Sequence, residues 1–280
     1  MIEALQFEFM RNALLAGLLA SIVCGIIGTL IVVNRIVFLS GGIAHAAYGG
    51  IGIAFFFGWP HMVGTIGFSL IIAMIMAVIT IKTRHRADTI IGVLWAVGMA
   101  LGVILLDLTP GYNVDLMSYL FGSILSVPDS DLILMATICV LVFLTVFYYY
   151  HDLLAMSYDE EFAQLRGVPV KFLYFLLIGM TALSIVMIIR VVGLILVIAL
   201  LTIPPFIAEK FSKSLFQMMG VSTALCAIFS VAGLWLSYVF NLTSGASIIM
   251  VAAAGFFMSF IIERLILIRT SKKESHVPSV

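Results

Sequence analysis

Nine stretches of the chain are apolar almost without interruption, with short polar turns between them. They fall near 12–34, 43–58, 62–82, 89–106, 131–150, 171–189, 191–208, 214–239 and 245–268. A bilayer core is about 30 Å thick, so a spanning helix needs about 20 apolar residues. Backbone groups in lipid must find partners within the chain, which leaves helices or a closed barrel. Barrel strands alternate apolar and polar positions over roughly 10 residues. These runs do not alternate, so they predict helices. The piece Leu116–Val127, between Asp115 and Asp129, is too short to span and predicts a re-entrant or surface-lying helix. The expected fold class is all-α, a polytopic membrane protein of about 8–9 transmembrane helices. The spans fill residues 1–269, and 270–280 form a polar cytoplasmic tail.

Composition excludes the soluble alternative. Of 280 residues, 63% are hydrophobic and 10% charged, whereas a soluble chain is about half apolar and roughly a quarter charged. Cys24, Cys139 and Cys226 lie far apart in apolar runs without metal-ligand spacing, and read as buried thiols. The N-terminal MIEALQFEFMRN begins with acids, and no small-residue cleavage site follows Leu14–Gly28. The first run is therefore expected to be a retained span.

Net charge is zero, but its distribution orients the bundle. With the Lys82/Arg84/Arg86 loop in the cytoplasm and the spans alternating, the inner side collects 12 of the 14 basic residues. Only Arg11 and Arg190 fall outside, as the positive-inside rule requires. The outer side carries Glu3, Glu8, Asp107, Asp115, Asp129 and Asp131. Such acids either form a mouth that concentrates cations or simply fill solvated loops.

Three motifs carry candidate function. In SYDEEFAQLRGVPVK, Ser157 to Lys171, Ser157 and Glu160 have the spacing of a capping box. Asp159, Glu160 and Glu161 would complement the positive end of a helix that Gly167 and Pro169 terminate. Phe162 and Leu165 fall on one face. This predicts a short capped cytoplasmic helix, either a docking knob or an ordinary connecting helix. In VVGLILVIALLTIPPFIAEK, Pro204 and Pro205 interrupt a helical run and predict a kink or break, serving either packing or a hinge. In GGIAHAAYGG, Gly41 to Gly50, His45 is an ionisable ring inside the membrane, where such residues are costly and mark function. The alternative is a histidine bonded to a backbone carbonyl in a close helix seam, since Gly42, Ala46 and Gly50 form a small-residue face.

Together with YLFGSILSVPDSD and GLWLSYVFNLTSGA, these stretches stand in an order that resembles the membrane permease subunit of ATP-binding-cassette importers for zinc, manganese and iron. The resemblance covers almost the whole chain. It implies a metal-importer-type bundle, shared with cobalamin importers, in the plasma (inner) membrane of a prokaryote. It implies a homodimer with a central pathway, two cytoplasmic ATPase subunits and an extracytoplasmic metal-binding protein that delivers the ion. It implies that Ser157, Asp159, Glu160, Glu161, Phe162, Ala163, Leu165 and Gly167 belong to a coupling helix docked on the ATPase. No permanently bound cofactor is expected: the divalent metal is cargo, and ATP binds the partner. The chain has no phosphate loop of its own, no enzyme motif and no reason to bind nucleic acid.

The chain departs from that family at one place. The family pattern is Asp, three residues, then His, which puts a carboxylate and an imidazole on one helix face. Here the Asp position is Gly41, and His45 stands alone as candidate metal or pathway residue. Asp107 is the nearest carboxylate expected by depth, and two copies of His45 facing each other are another arrangement. A metal chelate (siderophore, haem or cobalamin) as cargo, and an ATP-independent secondary transporter, are the competing readings.

Overall fold

The computed structural model describes residues 6–82, 86–110, 122, 124 and 127–274, with side chains as far as Arg264. Among the described residues there are eleven helices and no strand. In chain order they are α1 (Glu8–Val33), α2 (Val37–Phe57), α3 (His61–Lys82), α4 (Ala87–Asp107), α5 (Asp129–Tyr148), α6 (Tyr150–Tyr158), α7 (Glu160–Leu165), α8 (Val170–Val192), α9 (Leu194–Phe211), α10 (Leu215–Phe240) and α11 (Ser244–Glu274). Nine are long and apolar enough to cross a membrane, and each coincides with one of the nine apolar runs.

Three boundaries differ from the sequence reading. The second helix begins at Val37 rather than 43, because Val37, Phe38 and Leu39 supply an apolar first turn. The break between the sixth and seventh spans is at Gly193 (φ +86°), not at Arg190. That left-handed φ favours glycine, whereas an arginine continues a helix without strain. Helix α11 runs to Glu274, so the expected tail is helical in its first five residues.

Small residues decide how the bundle closes. Apolar side chains gain little by leaving lipid for protein, so close packing and polar contacts hold membrane helices together. Helix α1 is the central one, with Ala13, Ala16, Gly17, Ala20, Ser21, Gly25 and Gly28 all buried. Its Gly28 lies against the backbone at Leu201, where a Cβ would come within 2.7 Å of the carbonyl oxygen. Around α1 stand two groups of helices: α2, α3 and α4 on one flank, and α9, α10 and α11 on the other. Helix α8 is buried against both, and α5 packs on α1 and α8.

Polar contacts gather at the two ends of the bundle. At the acidic end, Arg190 Nε meets Asp131 Oδ2 at 3.0 Å, and Asn12 Nδ2 donates to Asp129 Oδ1 at 3.0 Å. At the basic end, Lys210 Nζ meets Glu263 Oε2 at 2.7 Å and lies over the Phe260 ring. Asn34 there donates to Ser157 Oγ at 2.9 Å. Within Leu116–Val127, Gly122, Ile124 and Val127 are the described residues. Ile124 is buried, and Gly122 presses on the backbone at Val192–Gly193. The rest of that piece lies outside the described residues, and with it the choice between a re-entrant and a surface-lying helix.

Candidate functional site

The basic end carries the short helix that the spacing predicted, with a different cap. The residue before α7 is Asp159, whose extended backbone (φ −149°, ψ 96°) turns its carboxylate back to accept from Phe162 N at 2.9 Å. Ser157 belongs to α6 and accepts from Asn34 instead, which corrects the capping-box reading. A carboxylate directly at the helix start answers the orphan N–H groups and the positive end together, so it displaces a serine two residues farther out. Gly167 (φ +84°) ends the helix, and Val168 N returns to Ala163 O at 3.0 Å. Ala163 is fully buried and faces the bundle, while Phe162 (50% exposed) and Leu165 (87% exposed) face outward. Arg166 covers one side of the Phe162 ring at 4.9 Å. Glu160 and Glu161 lie in the first turn as expected.

Behind α7 opens a cavity of about 440 Å³. Arg35, Asp88, Glu160 and Lys171 contribute two charges of each sign to its wall, with Asn34 and Gln164 between them. Phe38 and Ile91 line it at the side of α2 and α4. Arg35, in the turn between α1 and α2, holds a left-handed backbone (φ 57°), a strained conformation for a non-glycine residue.

Above this cavity, α2 runs parallel to α4 in a seam held by glycines. A Cβ on Gly52 would come within 2.5 Å of Gly102 O, and one on Gly49 within 2.8 Å of Gly98 O. His45 lies in this seam, its ring stacked on Trp95 with centroids 4.0 Å apart and planes 16° from parallel. Trp95 Nε1 donates to Met99 Sδ at 3.2 Å. The His45 Nδ1 atom is buried and has no hydrogen-bond partner, so the reading of a histidine satisfied by a backbone carbonyl is not met at that atom. Asp107 is not beside it. It ends α4 twelve residues beyond Trp95, about 18 Å along the axis at the usual helical rise. Among the described residues no three of His, Cys, Asp and Glu come together as a metal cluster.

The other sequence candidates divide. Asp131 is mostly buried and paired with Arg190, so it is not a free carboxylate of an acidic mouth. Asp129 accepts from Asn12, Asp107 is exposed, and Asp115 lies outside the described residues. Pro204 and Pro205 are buried, and α9 continues through them, so of the expected kink or break the break does not occur. Pro204 offers no N–H to the Leu200 carbonyl, and Cys226 Sγ on α10 donates there instead, at 3.6 Å. Pro205 frees the Leu201 carbonyl, which Gly28 of α1 approaches closely. A neighbouring helix thus takes up the Leu200 carbonyl.

Sequence reasoning missed Trp95, Met99 and Asn34. A signal existed for the first two, an indole in the middle of a span with a thioether at i+4, away from either interface where tryptophan usually collects.

Among the described residues the chain is thus a bundle of nine spans with a capped helix at its basic end and the His45 imidazole within a span, and comparison with known proteins gives it a family. The sequence profile of the ABC 3 transport family matches residues 6–263. The chain belongs to that family. It thus stands among permease subunits of metal-type ATP-binding-cassette importers, transport components rather than enzymes, as the five motifs implied. An uncharacterized membrane protein of Synechocystis sp., slr2045, is 49% identical over 264 residues, 94% of each chain. The manganese import system permease protein ScaB of Streptococcus gordonii is 34% identical over 257 residues, 92% of each. PsaBC from Streptococcus pneumoniae, solved in complex with Fab, superposes at a TM-score of 0.84 with 34% identity, covering 92% of this chain and 94% of that one.

Proposed function

We propose that this ABC 3 family chain moves a divalent transition metal (zinc, manganese or iron) inward by alternating access, powered by ATP hydrolysed on a separate subunit. The observation that carries this reading is α7: Phe162 and Leu165 stand exposed on a helix whose other face is locked into the bundle, beside a charged cavity. A helix so anchored passes on a push from outside instead of folding away from it. The relative ScaB is named a manganese import permease, which favours a metal as cargo.

In this account two copies of the chain surround the pathway, in the inner membrane of a prokaryote. A cytoplasmic ATPase docks on each α7, which makes it the coupling helix, and an extracytoplasmic metal-binding protein docks at the acidic end. ATP closes the ATPase pair and opens the pathway outward; hydrolysis returns it inward past His45 to the cavity behind α7. Pro204 and Pro205 mark the turn of α9 where such motion is absorbed. The chain holds no resident cofactor.

The test is uptake by the permease reconstituted with its ATPase and binding protein, offered zinc, manganese and iron in turn. ATP-dependent entry of at least one ion supports the reading. Entry of a siderophore, haem or cobalamin with none of the free ions overturns it in favour of a chelate importer.

A further inference from the structure

Gly41 is a buried glycine that packing does not require. A Cβ on any of its neighbours Gly42, Gly49, Gly50 and Gly52 would come within 2.5 to 2.8 Å of another atom, but one on Gly41 meets nothing within 4 Å. The chain therefore leaves space beside the helix face that His45 shares one turn later. Among the described residues, the helices packed on α2 carry no acid at mid-depth. Helices α2, α3 and α8 contain no Asp or Glu, and α4 holds Asp88 and Asp107 near its two ends. The acids of α1 and α9, Glu8 and Glu209, lie near their membrane-surface ends. What the chain does offer is the imidazole of His45, with a buried Nδ1 that no protein group satisfies. The ring is held from behind by Trp95, itself fixed by its N–H to Met99 Sδ.

We propose that this carboxylate-free pocket sets which ion crosses: it passes zinc in preference to manganese, and Trp95 is the positioning residue that presents the His45 imidazole to it. The inference rests on the function proposed above and narrows its cargo. Imidazole suits zinc, whereas manganese is held best by carboxylate, carbonyl and water oxygens. A carboxylate at position 41 would supply the oxygen that manganese needs, on the same face as the imidazole. Its absence penalises manganese more than zinc. A single imidazole per chain also binds weakly, as a transit point must, so that the ion leaves again toward the cavity below.

Two measurements on the reconstituted complex test this. The first is ATP-dependent uptake of zinc and manganese by the unmodified chain and by Gly41→Asp, which the open space accommodates. The expected result is a zinc preference that falls by about tenfold or more in Gly41→Asp, through a gain in manganese entry. Gly41→Leu, which fills the space without a carboxylate, brings no such gain. The second leaves the pocket intact. In a chain with Trp59→Phe and Trp235→Phe, assembled with partner subunits whose tryptophans are likewise replaced, Trp95 is the remaining tryptophan, and its emission reports on the ring stacked against it. Zinc added during turnover changes that emission, and His45→Ala removes the change. For positioning, Trp95→Phe keeps a stacking face and retains a zinc KM near that of the unmodified chain, while Trp95→Leu raises it. Equal entry of manganese and zinc with no shift in Gly41→Asp overturns the selectivity, as does a zinc response that survives His45→Ala. Equal KM values for Trp95→Phe and Trp95→Leu overturn the positioning role. If no divalent ion enters with ATP at all, the function itself fails and this inference falls with it.

Discussion

Replacing Cys226 by alanine should expose the cost of running a helix through two prolines. Pro204 leaves the Leu200 carbonyl without its helical donor, and the Cys226 thiol, 3.6 Å away, fills that role. Leu200 is 1% exposed and Cys226 fully buried, so no water substitutes. An unsatisfied buried acceptor costs roughly 1–3 kcal/mol. The missing sulfur adds a small cavity, about 1 kcal/mol on the scale of a lost methyl-sized group. Cys226→Ala is therefore expected to destabilise the bundle by about 2–4 kcal/mol. In a Pro204→Ala background the helix supplies its own N–H to Leu200. The same change there should cost only the cavity, leaving a coupling of about 1–3 kcal/mol between the two sites. The assay is a double-mutant cycle of reversible unfolding in mixed micelles. If the two single costs add to within about 0.5 kcal/mol, the thiol is not the carbonyl's partner and the reasoning is wrong.

Three further outcomes follow from the same geometry. Leu165→Asp, together with Phe162→Ser, should leave the bundle's stability unchanged while ATP hydrolysis by the complex loses its link to ion entry; unchanged coupling would rule α7 out as the docking element. Glu263→Gln leaves Lys210, whose side chain is 12% exposed, without its counter-charge. The pair is half open on the Glu263 side, so the expected loss is about 1–3 kcal/mol, less than for a fully buried pair. Circular dichroism melts of Glu263→Gln against Lys210→Met/Glu263→Leu check it, the double variant recovering most of the loss. Gly52→Ala forces α2 and α4 apart, because a Cβ there would come within 2.7 Å of the Gly102 Cα as well as close to its carbonyl. It should lower stability by about 1–3 kcal/mol, whereas Gly41→Ala changes it by less than about 0.5 kcal/mol. Equal effects would show that Gly41 does not border open space.

The spans were legible because nine long runs of apolar residues admit no other solution in lipid. Their partners were not. Which glycine of α2 packs on α4 and which faces space depends on the angle between two helices, and periodicity carries no such information. Gly41 and Gly52 look alike in sequence and differ completely in surroundings. The cap of α7 was misplaced from Asp159 to Ser157 for a related reason. Both residues suit a helix start, and only the bond from Asn34, 123 positions away in the chain, shows where Ser157 points. His45 stood out at once, being ionisable and in the membrane. Trp95 did not, since an indole in an apolar run reads as packing until its plane is seen parallel to the imidazole.

The central claim is that ATP, acting through α7, drives the ion inward. The most direct measurement is zinc uptake into vesicles holding the permease with its ATPase and binding protein, with nucleotide on the cytoplasmic side. It is run with ATP or with a non-hydrolysable analogue, each with and without an imposed proton gradient and membrane potential. The account predicts entry with ATP whether or not a gradient is present, and none with the analogue. Entry driven by the gradient alone, indifferent to ATP, would contradict it and make the chain a secondary transporter.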